Sequence, residues 1–167
     1  MSYLLLFPGL AMAFTVRAVE DSDIAAMAAI RAREWGTEIF WKDRIRLYLS
    51  GEHSPKQALA ARAAFVAVEG TTLVGFVAAH RTRRLGCDGE LQWMNVAEEK
   101  RGLGVADELM AKISAWFVEH SIHRVCVNVE ATNTVALKLY GRWAARRLNE
   151  HWMIWEDAPA RATPANP

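Results

Sequence analysis

Cysteine is scarce in this chain: two residues, Cys87 and Cys126, stand among 167 with no C-x-x-C partner for either. That is too few for the disulfide framework of a small secreted domain, so the expected location is cytoplasmic. Charge of one sign is lacking as well, since 20 Lys and Arg face 19 Asp and Glu for a formal net charge of +1. A nucleic-acid partner, whose phosphates call for a basic excess, is therefore not expected. No apolar run approaches the roughly 20 residues of a membrane span, so no membrane partner is expected either. What the chain does have is 52% hydrophobic residues and seven tryptophans. A chain of about 150 residues buries roughly 70% of its unfolded surface, and no disulfide or metal is needed to hold it.

The ends differ from the middle. Residues 1–13 form an apolar leader, Tyr3 to Phe7 followed by Pro8-Gly9 and Leu10 to Ala13. It has no Lys or Arg before the apolar run, and Pro8 interrupts that run, which argues against a secretory signal. The segment reads as an overlong start whose true beginning is Met12, or as an N-terminal arm packed on a neighbouring surface. Residues 157–167 carry three of the five prolines and no large apolar side chain, and read as a loose tail. A single domain is expected over 14–156.

Within it, Phe14 to Val19 alternates at period two, and Asp21-Ser22-Asp23 supplies cap chemistry for a helix through Ile24, Met27 and Ile30. A second helix is expected over Ile39–Leu49, stopped by Ser50-Gly51. Ser54 to Ala64 is Ala-rich and reads as a short helix or a loop. Ala64–Glu69 and Leu73–His80 read as a hairpin about Gly70-Thr71-Thr72, and Glu90–Val96 as a further strand. Val105, Leu109, Ile113, Trp116 and Phe117 recur at helical spacing up to His120. Arg124–Val129 reads as a strand, Asn133–Trp143 as a helix and Leu148–Trp155 as the last strand. The order is mixed α/β.

The junction with chemistry is the strand Glu90–Val96 running through Arg101-Gly102-Leu103-Gly104-Val105-Ala106 into a helix. Glycines there allow positive φ and close backbone approach, and the helix start offers unpaired N–H donors suited to phosphate. No Gly-Lys-Ser/Thr follows, so this is not a Walker A loop. Asp107 stands where a dinucleotide fingerprint needs a third small residue.

Arg101-x-x-Gly104-x-Ala106 resembles the Gln/Arg-x-x-Gly-x-Gly/Ala signature of the GNAT superfamily of acyl-CoA-dependent N-acetyltransferases. Some thirty residues on, Asn133-Thr134-Val135-Ala136-Leu137-Lys138-Leu139-Tyr140 is similar to that family's Asn-x-x-Ala-x-x-Leu-Tyr helix. The resemblance implies a mixed, mainly antiparallel sheet with helices on both faces, splayed open between two neighbouring strands. It implies acetyl-CoA as acyl-donor cosubstrate, no metal, and acetyl transfer to a primary amine of a small molecule or peptide. It is also compatible with a homodimer. Backbone N–H groups of Gly102, Leu103, Gly104, Val105 and Ala106 would cradle the pyrophosphate, and Met94, Asn95 and Val96 would pair with the pantetheine arm. Asn133 would contact that arm, and Tyr140, seven residues on and hence on the same helical face, would be the general acid. Glu90 is the candidate base, on the expectation that it shares a strand face with Gln92, Met94 and Val96; a water relay to it, or no side-chain base at all, is equally compatible.

One departure stands out. The family commonly places Gly-Phe four residues after the tyrosine, where this chain has Ala144-Ala145, a replacement able to shift the turn into the last strands. It leaves a second reading open, an acyl-CoA-binding regulatory domain that has lost transfer activity.

The other candidates read as structural. His120-x-x-His123 lacks further ligands at metal spacing. Cys126 between two valines reads as a buried, inert thiol. The basic run Arg81-Thr82-Arg83-Arg84 reads as a solvated loop, with the CoA 3′-phosphate as an alternative partner. Trp35, Phe40, Trp41 and Tyr48 read as core or, by the resemblance, as an aromatic wall for the acceptor amine.

Overall fold

Alternating and β-branched runs fold here into one seven-stranded sheet, and amphipathic runs into the helices that cover it. A computed structural model describes residues 13–158; the expectations for residues 1–12 and 159–167 lie outside the described residues. The strands are β1 (Thr15–Ala18), β2 (Ala58–Glu69), β3 (Thr72–Thr82), β4 (Gly89–Val96), β5 (Val125–Asn128), β6 (Arg146–Arg147) and β7 (Trp152–Trp155). Their order in the sheet is β1-β2-β3-β4-β5-β7-β6. All neighbours are antiparallel except β4 and β5.

Four helices complete the fold: α1 (Ile24–Ala32), α2 (Glu38–Ser50), α3 (Val105–Glu119) and α4 (Thr134–Arg142). Thr37 caps α2 by accepting from the Phe40 N–H, and Gly51 ends it in the left-handed conformation. Helices α1 and α2 pack Met27, Trp41, Ile45 and Tyr48 against Phe76, Ala78 and Trp93 on one sheet face. Helix α3 packs Leu109, Ile113 and Phe117 with Val77, Ala79 and Leu91 on the other, where Leu139 and Tyr140 of α4 join them. The expected mixed, mainly antiparallel sheet with helices on both faces is what forms.

Two local expectations are corrected. Of the stretch Ser54 to Ala64, residues 54–57 are the expected loop, but the rest is strand, because β2 begins at Ala58 and pairs Ala58 with Thr82 and Arg62 with His80. Alanine's helix preference is a fraction of a kcal/mol per residue, and the ladder offered by a long β3 outweighs it. A bulge lies between these pairs, with Ala61 at φ 71°.

The second correction bears on the site. Ala78 faces Trp93 and Ala79 faces Leu91, so Gln92 is an extra residue in β4. Beyond this bulge the side-chain alternation is reversed. Leu91, Met94 and Val96 lie with α3, whereas Glu90, paired with His80, falls on the α1/α2 face with Trp93 and Asn95. The face expected to join Glu90 to Met94 and Val96 is thus broken in the middle.

Ala144 ends α4 in a tight turn. Its φ is 64°, and the N–H of Ala145 reaches the Tyr140 carbonyl while that of Ala144 reaches Gly141, the bonding pattern of a Schellman cap. The alanine thus occupies a left-handed conformation that usually favours glycine.

Candidate active site

Strands β4 and β5 are paired only at Gly89, Glu90 and Leu91, facing Val125, Cys126 and Val127. From Gln92 onward β4 is paired with β3 alone, so the backbone of Met94, Asn95 and Val96 has one open edge. A cleft of about 600 Å³ occupies this fork. Its floor is Met94, Asn95 and Val96, one wall is the turn into α3, and the other wall is α4 with Asn133, Leu139 and Tyr140.

The turn is built by backbone conformation. Gly102 and Gly104 have φ of 77° and 86°, and a Cβ at either would meet no atom within 4 Å. Positive φ, not crowding, is what requires glycine there, and the turn's surface faces open space. Gly104 is the N-cap of α3, whose first N–H groups have no intrahelical acceptor. A phosphate-bearing chain fits this wall, with Lys100, Arg101 and Arg142 also lining the cleft. Arg101 donates to the Val96 carbonyl at 3.3 Å. Of the turn residues expected here, Leu103 alone does not line the cleft, its side chain being exposed.

Helix α4 carries the two residues expected of it. The Asn133 side-chain oxygen caps the helix by accepting from the Ala136 N–H at 3.1 Å, which leaves its NH₂ for a ligand. Tyr140 is buried, its ring edge-on to Trp155 with centroids 5.5 Å apart. Burial, then the negative charge of Glu34, pushes its pKa up, so the phenol keeps its proton at neutral pH. Asp107 fastens α4 to the start of α3, accepting from the Trp143 indole at 2.8 Å and from Arg142 at 3.0 Å.

Glu90 does not reach the cleft. Its carboxylate is 5% exposed, accepts from Arg84 Nε at 3.0 Å and lies 3.5 Å from His80 Nε2, while His80 Nδ1 is 3.0 Å from the Tyr48 hydroxyl. The bulge at Gln92 turned it to the far face. Arg84 is likewise spent on structure, since its guanidinium stacks 5.0 Å over the Trp152 ring while it pairs with Glu90.

Two carboxylates line the cleft, Asp107, which is held by Trp143 and Arg142, and Glu34, just beyond α1. Asn95 Nδ2 donates to it at 3.0 Å, Arg31 lies at 3.4 Å and Arg101 at 3.9 Å. Sequence reading passed over Glu34 because its neighbour Asn95 is 61 residues away. Only its i,i+3 spacing from Arg31 is visible locally. Cys126 is fully buried, and Cys87 and burial push its pKa up, as suits an inert thiol. Among the described residues no group of three His, Cys, Asp or Glu stands together as metal ligands, and no helix is long and apolar enough to cross a membrane.

The family model described as the acetyltransferase (GNAT) family matches residues 33–144. Curated proteins give no match to this chain. Among solved structures, a ribosomal-protein-alanine N-acetyltransferase from Brucella melitensis superposes with a TM-score of 0.68 at 17% identity, covering 84% of this chain and 98% of that one. An Ard1 protein from Thermoplasma volcanium gives 0.66 at 18%, covering 85% and 95%. A PaiA N-acetyltransferase from Thermoplasma acidophilum, solved with coenzyme A, gives 0.59 at 15%, covering 86% and 98%. At these identities the likeness is one of fold.

Proposed function

Since the chain belongs to the GNAT acetyltransferase family, we propose that it is an N-acetyltransferase moving an acetyl group from acetyl-CoA to a primary amine by direct attack. The observation that carries this reading is the fork of β4 and β5, where an open strand edge, a glycine turn and a protonated phenol meet in one cleft. The neighbour solved with coenzyme A supports the choice of donor.

Acetyl-CoA, when bound, supplies an activated thioester. The turn Gly102–Ala106 and the first N–H groups of α3 would hold its pyrophosphate, a task for backbone donors that needs no basic field. The open edge of Met94, Asn95 and Val96 would bind the arm as an added strand does and point an N–H at the thioester carbonyl. Glu34, in the position expected of Glu90, would take the proton that the attacking amine sheds as the C–N bond forms. Tyr140 would give its proton to the sulfur as the C–S bond breaks. The products are an amide and the free thiol of CoA.

Thiol release from acetyl-CoA by the purified protein, across a panel of amines, tests this. Release with at least one amine is expected. A protein that CoA stabilises against heat but that releases no thiol with any amine is a binding domain instead, and the transfer reading fails.

A further inference from the structure

A second cavity, of about 380 Å³, opens on the α1/α2 face of β4. It is next to the cleft but separate from it. Gln92 and Trp93 of β4 line the cavity while Met94, Asn95 and Val96 line the cleft. Arg31 stands between the two, lining the cavity and donating toward Asn95 Oδ1 at 3.3 Å and Glu34 at 3.4 Å. Resting on the transferase reading, we propose that this cavity seats the acceptor and selects a small amine that carries a carboxylate beside an aromatic or branched apolar body.

The charge of the lining is one-sided. Arg31, Arg44 and Lys56 line it, and no carboxylate does. Arg44 Nη1 lies 2.6 Å from the His53 ring rather than on an acid. The Arg31 side chain is only 15% exposed and its Nε has no partner. Burial and the guanidiniums of Arg44 and Arg62 push the His53 pKa down, a sign of the same positive field. Polyamines and aminoglycosides, with several cationic centres, are repelled by such a site, and an anionic group is drawn to it.

The remaining wall is aromatic. Trp35 and Trp41 meet edge to face at 4.8 Å, Phe40 and Trp41 at 5.1 Å, and Trp41 and Trp93 at 6.2 Å. The Trp41 indole is fixed by its bond to the Trp35 carbonyl at 2.7 Å, and the Arg31 guanidinium lies 4.2 Å over its ring. This shelf accepts a flat or branched apolar group. The volume is at the small end for a ligand site, which suits an amino-acid-sized molecule.

The proposal is tested by calorimetric titration of the CoA-saturated protein with phenylalanine, phenylalaninamide and spermidine, which differ in carboxylate and charge. Phenylalanine is expected to bind at least about tenfold more tightly than the amide, with no heat from spermidine. Arg44→Gln and, at an exposed position, Lys56→Gln should each shrink that preference, with Arg44→Lys keeping most of it. Equal binding of the amide, binding of spermidine, no binding of any of the three, or an unchanged preference in both neutral variants overturns the proposal. A preserved carboxylate preference without thiol release from acetyl-CoA overturns the transfer reading and the acceptor role with it, and leaves the cavity as a carboxylate-selective binding site.

Discussion

Asn95 donates its side-chain amide to the Glu34 carboxylate at 3.0 Å, joining the middle of the sheet to the end of α1. Asn95 is itself buried, so the bond holds Glu34 at the mouth of the cleft even though Glu34 stands in a connecting segment. Because Asn95 stands on the far side of the bulge from Leu91, this link depends on the extra residue Gln92.

Glu34→Gln keeps an oxygen for Asn95 and Arg31 but cannot take a proton. Turnover with a good amine should fall about 100-fold while KM for acetyl-CoA stays within about twofold. Undiminished turnover in steady-state assays removes Glu34 as base.

Tyr140→Phe removes the hydroxyl and leaves the ring against Trp155. The expected loss is again about 100-fold in kcat, with acetyl-CoA affinity and melting temperature close to those of the parent. A variant that turns over normally sinks the acid assignment.

Ala144→Gly should stabilise the protein by about 0.5–1 kcal/mol, because glycine adopts φ near 64° without the Cβ clash, less the entropy it adds to the unfolded chain. Gly104→Ala should do the reverse and cost about 1–2 kcal/mol at φ 86°, although its Cβ meets nothing. Urea unfolding of both variants checks the pair, and a stabilised Gly104→Ala contradicts the argument.

Arg17 grips Asp23 through two bonds, at 2.7 and 2.9 Å, and the Glu20 N–H donates to the same carboxylate at 2.8 Å. The Arg17 hydrogen bonds, reinforced by that N–H, hold the Asp23 pKa down against its partial burial. A carboxylate depressed in the native state stabilises fully above its unfolded pKa of about 3.9, and that stability is lost as pH falls through the native value. Asp23→Asn should therefore be less stable at pH 7, and the two proteins should converge in melting temperature as the pH is lowered through the depressed native pKa.

The glycine turn, Asn133 and Tyr140 were legible because each is fixed locally: positive φ at Gly102 and Gly104, seven-residue spacing on one helix. The helices around Met27, Ile45 and Leu109 were readable from their apolar period. Glu90 was misplaced because a one-residue bulge reverses every side chain on one side of it, and no residue type announces it. Ala58 to Ala64 took strand form from its partner β3, and β6, two arginines long, is defined only by β7. Glu34 became visible only when Asn95 was folded beneath it.

The short parallel pairing of β4 and β5 has a mechanical side. Backbone bonding between the β1–β4 half of the sheet and the β5–β7–β6 half rests on three register pairs, against nine between β2 and β3. The entrance for an acyl chain is thus also a thin seam, the one place where the two halves of the sheet join. Amide protons flanking it should exchange with deuterium ahead of those in β2 and β3, and a cosubstrate lying in the fork would act as a splint that slows them.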